Sequence, residues 1–367
     1  MKSRAAILFK PGEKLQIHEV DVQDPGPGEV RVKLAASGIC HTDLHVMTGD
    51  LDAPLPAILG HEGAGVVYDV GPGVTAVKPG DHVILLWRLS CGECEYCSDS
   101  RPALCPAGTD IRGTGRLLDG TSRFSLDGQE IKHFAGASAF SNYTVLPEKA
   151  VLKIADDLPL ELVALMGCAV ITGVGAAVNA AEVKPGSTVA VFGAGGIGVN
   201  VVQGAVLAGA RTVIAVDRYD SRLEQARQFG ATHTVNASAG NAVDTIRELT
   251  DGRGVDYAFE AVGVPAVMQQ AYDCLAKRGV AMVVGIPPTA SEVTISSSAL
   301  VYEERVLTGS LYGSAAPKTD IPKLIALYRS GKLKLDDLLT HSFPIEEINE
   351  AYAALESGET LRSVVTF

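Results

Sequence analysis

The sequence predicts an α/β protein: a doubly wound parallel sheet with helices on both faces, joined to a β-rich domain. Three observations predict it. Buried-type strands and apolar helices alternate from Thr188 onward, the pattern of a parallel sheet covered on both sides. Short apolar runs separated by Gly/Pro turns fill the chain from Arg4 to about Leu152. The chain has 367 residues, 47% hydrophobic and 20% charged, enough for two ordinary cores.

In the β-rich part, turns fall at Pro25-Gly26-Pro27-Gly28, Gly71-Pro72-Gly73 and Lys78-Pro79-Gly80-Asp81. Strands are expected over 30–36, 65–70 and 82–86. Residues 110–132 read as a polar excursion. From about Pro159 the style changes, and 161–181, rich in small residues, reads as one long helix. Strands follow at 188–192, 212–216, 255–259 and 280–284, with helices at 197–208, 221–229 and 265–276. Helical segments recur at 321–330 and 345–355, and a final strand over 362–367 is expected to rejoin the first domain. The expected division is 1–169, 170–311 and a return over 312–367.

A formal net charge of −12 without a Lys/Arg block argues against nucleic-acid or anionic-membrane partners. No apolar run reaches the ~18 residues of a membrane span. Seven cysteines, an odd number clustered at metal-type spacing, fit a reducing compartment. Met1 to Lys10 lacks the apolar core of a secretory leader. The expectation is a soluble, cytoplasmic protein.

Cys91, Cys94, Cys97 and Cys105 read C-x2-C-x2-C-x7-C. Such gaps let one loop wrap four thiolates around a tetrahedral ion. Four sulfurs close the shell, so zinc there holds a loop together and takes no substrate. Disulfides and an iron–sulfur cluster are the competing readings. Pro106 follows Cys105 as in bacterial clusters, but the last gap is longer than theirs.

The strand at 188–192 runs into Gly193-Ala194-Gly195-Gly196-Ile197-Gly198 and an apolar helix. This is G-x-G-x-x-G in the strand–turn–helix context of a Rossmann-type dinucleotide site. Gly193 permits the turn, Gly195 lets backbone approach a pyrophosphate, and Gly198 lets helix and strand pack closely. The helix N-terminus offers free amides to the phosphates. Asp217 closes the next strand about 20 residues on, where an acid binds ribose hydroxyls and repels a 2′-phosphate. NAD is therefore expected over NADP, a discrimination that Arg218 weakens. Arg222 is a candidate contact for the adenosine ribose.

Three further residues suit an open metal site. Cys40, His61 and Cys168 each stand beside or near a glycine, as expected where backbone crowds an ion. Two thiolates and one imidazole leave a fourth position for water or substrate. Spacing alone does not connect residues so far apart. Taken singly, His61 reads as a structural histidine, Thr42 as a turn residue, and Cys168 and Trp87 as core.

The whole chain resembles the zinc-dependent medium-chain alcohol dehydrogenases. Residues 37–43, 60–65, 91–105, 167–173, 193–198 and 361–367 carry the resemblance. Asp119-Gly120-Thr121-Ser122-Arg123-Phe124 further resembles the longer, typically dimeric branch, close to the glutathione-dependent formaldehyde dehydrogenase type. The resemblance implies a GroES-like catalytic domain beside the Rossmann domain, NAD, and two Zn2+ per chain. One zinc is catalytic (Cys40, His61, Cys168) and one structural (the four-cysteine loop). It implies that Glu62 lies behind the catalytic ion, Asp43 orients His61, and Thr42 bonds the alcohol oxygen. Thr172 and Ile197 would pack on the nicotinamide, with Gly196 in the phosphate turn. His41 and Arg362 would contact the pyrophosphate. Trp87, Phe134 and Ile286 would line the pocket, Ile286 also facing the cofactor. The remaining histidines and Cys274 are assigned to structure or surface.

The implied reaction is hydride transfer between a primary alcohol or aldehyde and NAD(H), with a proton relay through Thr42, the nicotinamide ribose and His45. The glutathione-dependent branch usually lacks histidine at the His45 position and carries arginine where Thr109 stands. Both departures favour ordinary alcohols, although Arg112 or Arg116 could serve an anionic thiol. The alternatives are a thiol-adduct dehydrogenase or S-nitrosothiol reductase, a non-catalytic NAD-binding protein, and a zinc-free quinone or enoyl reductase. A homodimer through 293–313 is the first expectation, a tetramer the second.

Overall fold

In chain order, the first part of the computed structural model holds β1 (Lys2–Leu8), β2 (Gln16–Val22), β3 (Glu29–Gly38), α1 (His41–Thr48), β4 (Ala57–Ile58), β5 (Gly63–Val70) and β6 (His82–Leu85). Then come α2 (Glu95–Ser98), α3 (Pro106–Thr114), β7 (Phe124–Leu126), β8 (Gln129–His133), β9 (Tyr143–Pro147), β10 (Val151–Ile154) and α4 (Leu160–Ala164). The second part holds α5 (Ala169–Gly175), β11 (Thr188–Phe192), α6 (Gly196–Leu207), β12 (Thr212–Asp217), α7 (Asp220–Gln228), β13 (His233–Asn236) and α8 (Ala242–Leu249). It continues with β14 (Val255–Glu260), α9 (Pro265–Asp273), β15 (Leu275–Val283), α10 (Ser297–Tyr302) and β16 (Val306–Gly309). The chain ends with α11 (Pro317–Arg329), β17 (Leu339–Pro344), α12 (Ile348–Ser357) and β18 (Arg362–Thr366). The structure describes residues 1–358 and 360–367.

Two units emerge: Met1–Cys168 with Ala316–Tyr328 and Leu335–Phe367, and Ala169–Ala315 with Arg329–Lys334. In the first, β1, β2, β7, β8 and β4 close a barrel. A seven-stranded sheet runs β10-β6-β5-β3-β18-β17, with β9 also on β3. Inward alternation fills two cores, one around Ile7, Ile39, Phe140 and Tyr352, the other around Val32, Leu34, Val67 and Leu85. The C-terminal strand β18 pairs antiparallel with β3, so the chain end returns to the first unit. The second unit is a parallel sheet of order β13-β12-β11-β14-β15-β16, the doubly wound order expected of a dinucleotide fold. Its strands carry Val189, Ala190, Ile214, Ala258 and Ala281, all fully buried, which is why they show no polar alternation. Segment 329–334 groups with this unit, where the Lys334 N–H donates to Gln203 Oε1 at 2.8 Å. No single helix among the described residues is long and apolar enough to cross a membrane.

Three segments differ from the sequence reading. The helix expected over 161–181 is broken: Cys168 sits at φ −142°, ψ −75°, between a 3-10 turn at Leu165–Gly167 and α5. Residues 293–313 form α10 and the single strand β16 rather than several strands. The stretch 110–132 is no excursion, since it supplies most of α3, β7 and the bulk of β8. Its polar residues form an interior network. Arg123 is buried, donating from Nε and Nη2 to Glu29 (2.8 Å each) and from Nη2 to Asp119 (2.6 Å). Removing one partner from such a network leaves a buried charge uncompensated, a loss of about 3–5 kcal/mol.

His133 lies under the same network. Its Nε2 accepts the Arg123 N–H (3.2 Å), and Ser138 Oγ is 3.4 Å from Nδ1. Burial, reinforced by the Arg123 charge, pulls its pKa down from 6.5 to about 3. The folded chain thus binds this proton later than the unfolded chain. The neutral ring's contribution is complete above pH 6.5 and falls as pH drops toward 3, by about 1.4 kcal/mol per pH unit. His133→Gln keeps an acceptor for Arg123 but no titrating group. Urea titrations at pH 7 and pH 5 should show its acid-induced loss of stability smaller than the parent's by about 2 kcal/mol.

Candidate active site

The first-unit site is assembled from chain segments that are brought together only by the fold. β3 ends at Gly38, and Cys40 stays extended (φ −131°, ψ 146°) in the position just before α1. His61 and Glu62 occupy the short link before β5, and Cys168 comes from the break before α5. The ligand atoms of Cys40, His61, Glu62 and Cys168 all lie within 4.8 Å of one another, and all four residues are buried. Close approach explains the glycines. A Cβ on Gly38 would lie 2.3 Å from Glu62 Oε2, and one on Gly60 2.7 Å from the Phe140 backbone nitrogen.

Asp43, fully buried on α1, places Oδ2 3.0 Å from His61 Nδ1 and accepts the Gly60 N–H on Oδ1 at 2.9 Å. That arrangement holds the proton on Nδ1 and leaves Nε2 to a metal. Glu62 is paired through Oε2 with the Arg362 guanidinium, from the other end of the chain. Burial pushes Glu62 up to about 7 against the pull of Arg362. A hydrogen bond from Cys168 holds the Cys40 thiol well below its usual range, and the same bond raises Cys168. Two thiols sharing a proton this way are a donor set that zinc fits by displacing that proton.

Thr42 Oγ1 lies 3.6 Å from Cys40 Sγ. His45 stands one helical turn further along α1, half-buried, with Nδ1 3.6 Å from Asp50 Oδ2. Trp87 and Phe134 meet the His61 ring edge-on, at 5.8 and 5.9 Å between centroids. His41 opens α1 and is exposed.

The four-cysteine loop forms a second cluster, with Cys91, Cys94, Cys97 and Cys105 sulfurs mutually within 4.8 Å. Cys91–Cys97 and Cys94–Cys105 sulfurs are 3.9 and 3.8 Å apart. A tetrahedron with Zn–S of about 2.3 Å requires S···S near 3.8 Å. Backbone N–H groups of Cys91 and Cys94 also donate to Cys105 and Cys91 sulfurs, at 3.3 Å each.

In the second unit, α6 begins at Gly196, and Gly195 before it supplies no side-chain cap, so its first amides remain for a ligand. A Cβ on Gly195 would meet nothing within 4 Å, whereas one on Gly198 would lie 1.7 Å from the Gly193 carbonyl oxygen. The turn is therefore open on one side and closed on the other, as a phosphate cradle requires. Gly196 and Ile197 form the first turn of α6. Gly173, next to buried Thr172, passes so close that a Cβ would be 2.6 Å from Ile197 O. Asp217 ends β12 and is tied inward. Oδ2 accepts the Ala194 N–H (2.8 Å), and Oδ1 accepts those of Arg218 (2.7 Å) and Tyr219 (3.1 Å). Arg222 stacks over the Tyr219 ring at 5.2 Å. Ile286 follows β15, its carbonyl pressed against Gly263.

Sequence reasoning missed the Gly60 amide on Asp43 and the Arg362–Glu62 pair. The first was signalled only by a glycine beside a ligand; the second, bridging the two chain ends, had no local signal.

Comparison with known proteins agrees with this geometry. Residues 26–156 match the alcohol dehydrogenase GroES-like domain family, and 196–330 match the zinc-binding dehydrogenase family. The chain is 45% identical to alcohol dehydrogenase class-3 of Cereibacter sphaeroides, over 100% of both chains. It is 43% identical to S-(hydroxymethyl)glutathione dehydrogenase of Paracoccus denitrificans, again over 100% of both. The crystal structure of benzyl alcohol dehydrogenase from Acinetobacter calcoaceticus superposes with a TM-score of 0.95 at 35% identity, covering 100% of this chain and 99% of that one. With both metal clusters and the glycine turn in place, the chain belongs to the zinc-dependent medium-chain alcohol dehydrogenases.

Proposed function

We propose that this enzyme interconverts primary alcohols and aldehydes with NAD(H), at a zinc held by Cys40, His61 and Cys168. The observation that carries the reading is the buried convergence of two thiols and one imidazole beside the Thr42 hydroxyl. Zinc supplies there a Lewis acid that makes the alcohol a stronger acid, and NAD supplies the hydride acceptor. Thr42 receives the alcohol's hydroxyl hydrogen bond, and His45, one turn along α1, passes the proton toward solvent. Asp43 keeps the His61 ring oriented, and Glu62, held by Arg362, stands behind the ligands. Trp87 and Phe134 wall the substrate side of His61. In the second unit, Gly193 to Gly198 receive the pyrophosphate and Thr172, Ile197 and Ile286 the nicotinamide. Asp217 and Arg222 take the adenosine ribose, and His41 and Arg362 are the further pyrophosphate contacts. The four-cysteine zinc is structural.

Ordinary alcohols, aromatic or medium-chain, are the substrates this reading favours. The name of the Paracoccus relative supports a thiol adduct as the second reading. Against it, Thr109 accepts Arg88 Nη2 at 2.7 Å. Arg116 is committed to Glu130, with Nε at 3.0 Å and Nη2 at 3.3 Å. Of the arginines considered for an anionic thiol, only Arg112 remains. A homodimer is the proposed assembly. β16 is an edge strand, and Leu300, Val301 and Tyr302 on adjacent α10 are exposed apolar residues. A cytoplasmic location suits seven free cysteines.

A panel of benzyl, medium-chain and short alcohols with NAD, run with and without a low-molecular-weight thiol, should show thiol-independent turnover. Activity confined to formaldehyde plus thiol would overturn the substrate reading. Cys168→Ser should fold but carry one zinc per chain instead of two by elemental analysis, and lose turnover. His45→Gln should slow oxidation near neutral pH by about 10²-fold or more; an unchanged pH–rate profile would remove it from the relay. Asp217→Gly should raise the NADP/NAD ratio of kcat/KM, and a constant ratio would refute its role.

A further inference from the structure

Tyr352 carries a hydroxyl that no ligand set or hydrogen bond accounts for. It lies on α12, which packs against β18, and its oxygen is buried with no hydrogen-bond partner among the described residues. Ser37 on β3 and Ser363 on β18 are among the other buried hydroxyls that share that condition. Register brings them together. Val365 pairs with Ser37, and the Ile39 N–H donates to the Ser363 carbonyl. Ser37, Ile39, Ser363 and Val365 therefore present their side chains on one face of the antiparallel pair. Ile39 and Val365 belong to the core that contains Tyr352 and Phe140, so this is the face that α12 covers.

Asp43 borders the same compartment. The Phe140 ring is 6.2 Å from the Tyr352 ring and packs on Gly60, whose N–H donates to Asp43. A carboxylate offers about four acceptor sites. Asp43, fully buried, meets the Gly60 N–H on Oδ1 and the His61 ring on Oδ2, which leaves each oxygen spare acceptor capacity. Burial raises the Tyr352 phenol well above its usual range, and the Asp43 charge is the next contributor. Buried hydroxyls without a partner are rarely tolerated in a protein interior. A bridging water would resolve the deficit, with these hydroxyls and the Asp43 carboxylate as its polar partners.

We propose that Tyr352, with Ser37 and Ser363, holds an internal water that donates to Asp43, making Tyr352 a positioning residue for the catalytic zinc. The inference rests on the ligand set proposed above. The water accepts from the tyrosine hydroxyl and donates a hydrogen bond to Oδ2, which keeps the carboxylate aimed at His61 Nδ1. His61 is then held with Nε2 toward the metal. Phenylalanine at this position would preserve the packing and remove only the hydroxyl.

The test compares zinc release from the loaded full chain with that from Tyr352→Phe, using excess chelator and a colorimetric indicator that resolves the two ions. Loss of a supporting partner typically weakens a metal site 10- to 100-fold; one step further out, about 3- to 10-fold faster release is expected. Only the Cys40/His61/Cys168 phase should accelerate, with the four-cysteine phase serving as internal control. The pH profile of benzyl alcohol oxidation should shift in the same variant. Unchanged release of both ions overturns the proposal, and so does equal acceleration of both, which would mean a purely structural hydroxyl. Should Tyr352→Phe fold poorly, Ser363→Ala probes the same water under the same criteria. Failure of the ligand set itself would appear separately, as a Cys168→Ser chain that still shows both release phases.

Discussion

A balance of buried charge around the His61 ring governs the first unit. Cys40, Cys168, Glu62 and Asp43 are buried acids, and removing each ion from bulk water costs several kcal/mol unless it is paired. Arg362 answers Glu62, and the ring N–H of His61 answers Asp43. The two thiols are left over. As thiolates they carry two negative charges, which a dication with a neutral imidazole cancels. The four-cysteine loop would leave an excess of negative charge by the same count. It tolerates this because Cys91, Cys94 and Cys97 are only partly buried and backbone amides point at the sulfurs. By this count two sulfurs and one nitrogen would suffice to hold zinc at the deep site, where it would keep a position for substrate.

This balance imposes geometry on the rest of the unit. The ligands must arrive from three separated segments, so the backbone has to pass close by at Gly38 and Gly60. The helix that would have run through Cys168 has to stop there. The C-terminal strand must return to β3 so that Arg362 reaches Glu62. The discontinuous unit, the kinked 160s segment and the closing strand follow from placing one cation.

What could be read from sequence was whatever is local. The four-cysteine loop and the glycine turn each fit within fifteen residues or fewer, and strands such as Thr188–Phe192 announce themselves by burial. Long-range partners left no such trace. Small residues from 161 onward look helical throughout, because nothing in their propensities records that Cys168 must face Cys40. The polar run at 110–132 reads as a polar excursion because arginine, as at Arg123, is mostly exposed in proteins. Here Glu29, 94 residues earlier, neutralises it inside. The hydroxyls of Ser37, Tyr352 and Ser363 carry no sequence signal, since serine and tyrosine reveal a polar role only through their neighbours in the fold.

Asp217 shows that a correctly located residue can still be only partly understood. Its carboxylate was expected to face ribose, yet three backbone N–H groups already bind it, one of them from the glycine turn itself. Each oxygen retains acceptor capacity, so ribose binding and turn-holding are compatible. The consequence is coupling. Any substitution that relaxes cofactor choice at Asp217 also loosens the turn that receives the pyrophosphate, so affinity for both dinucleotides falls while their ratio changes. Discrimination at this position is therefore built on the same hydrogen bonds that shape the phosphate cradle, and the two properties cannot be varied independently through this side chain.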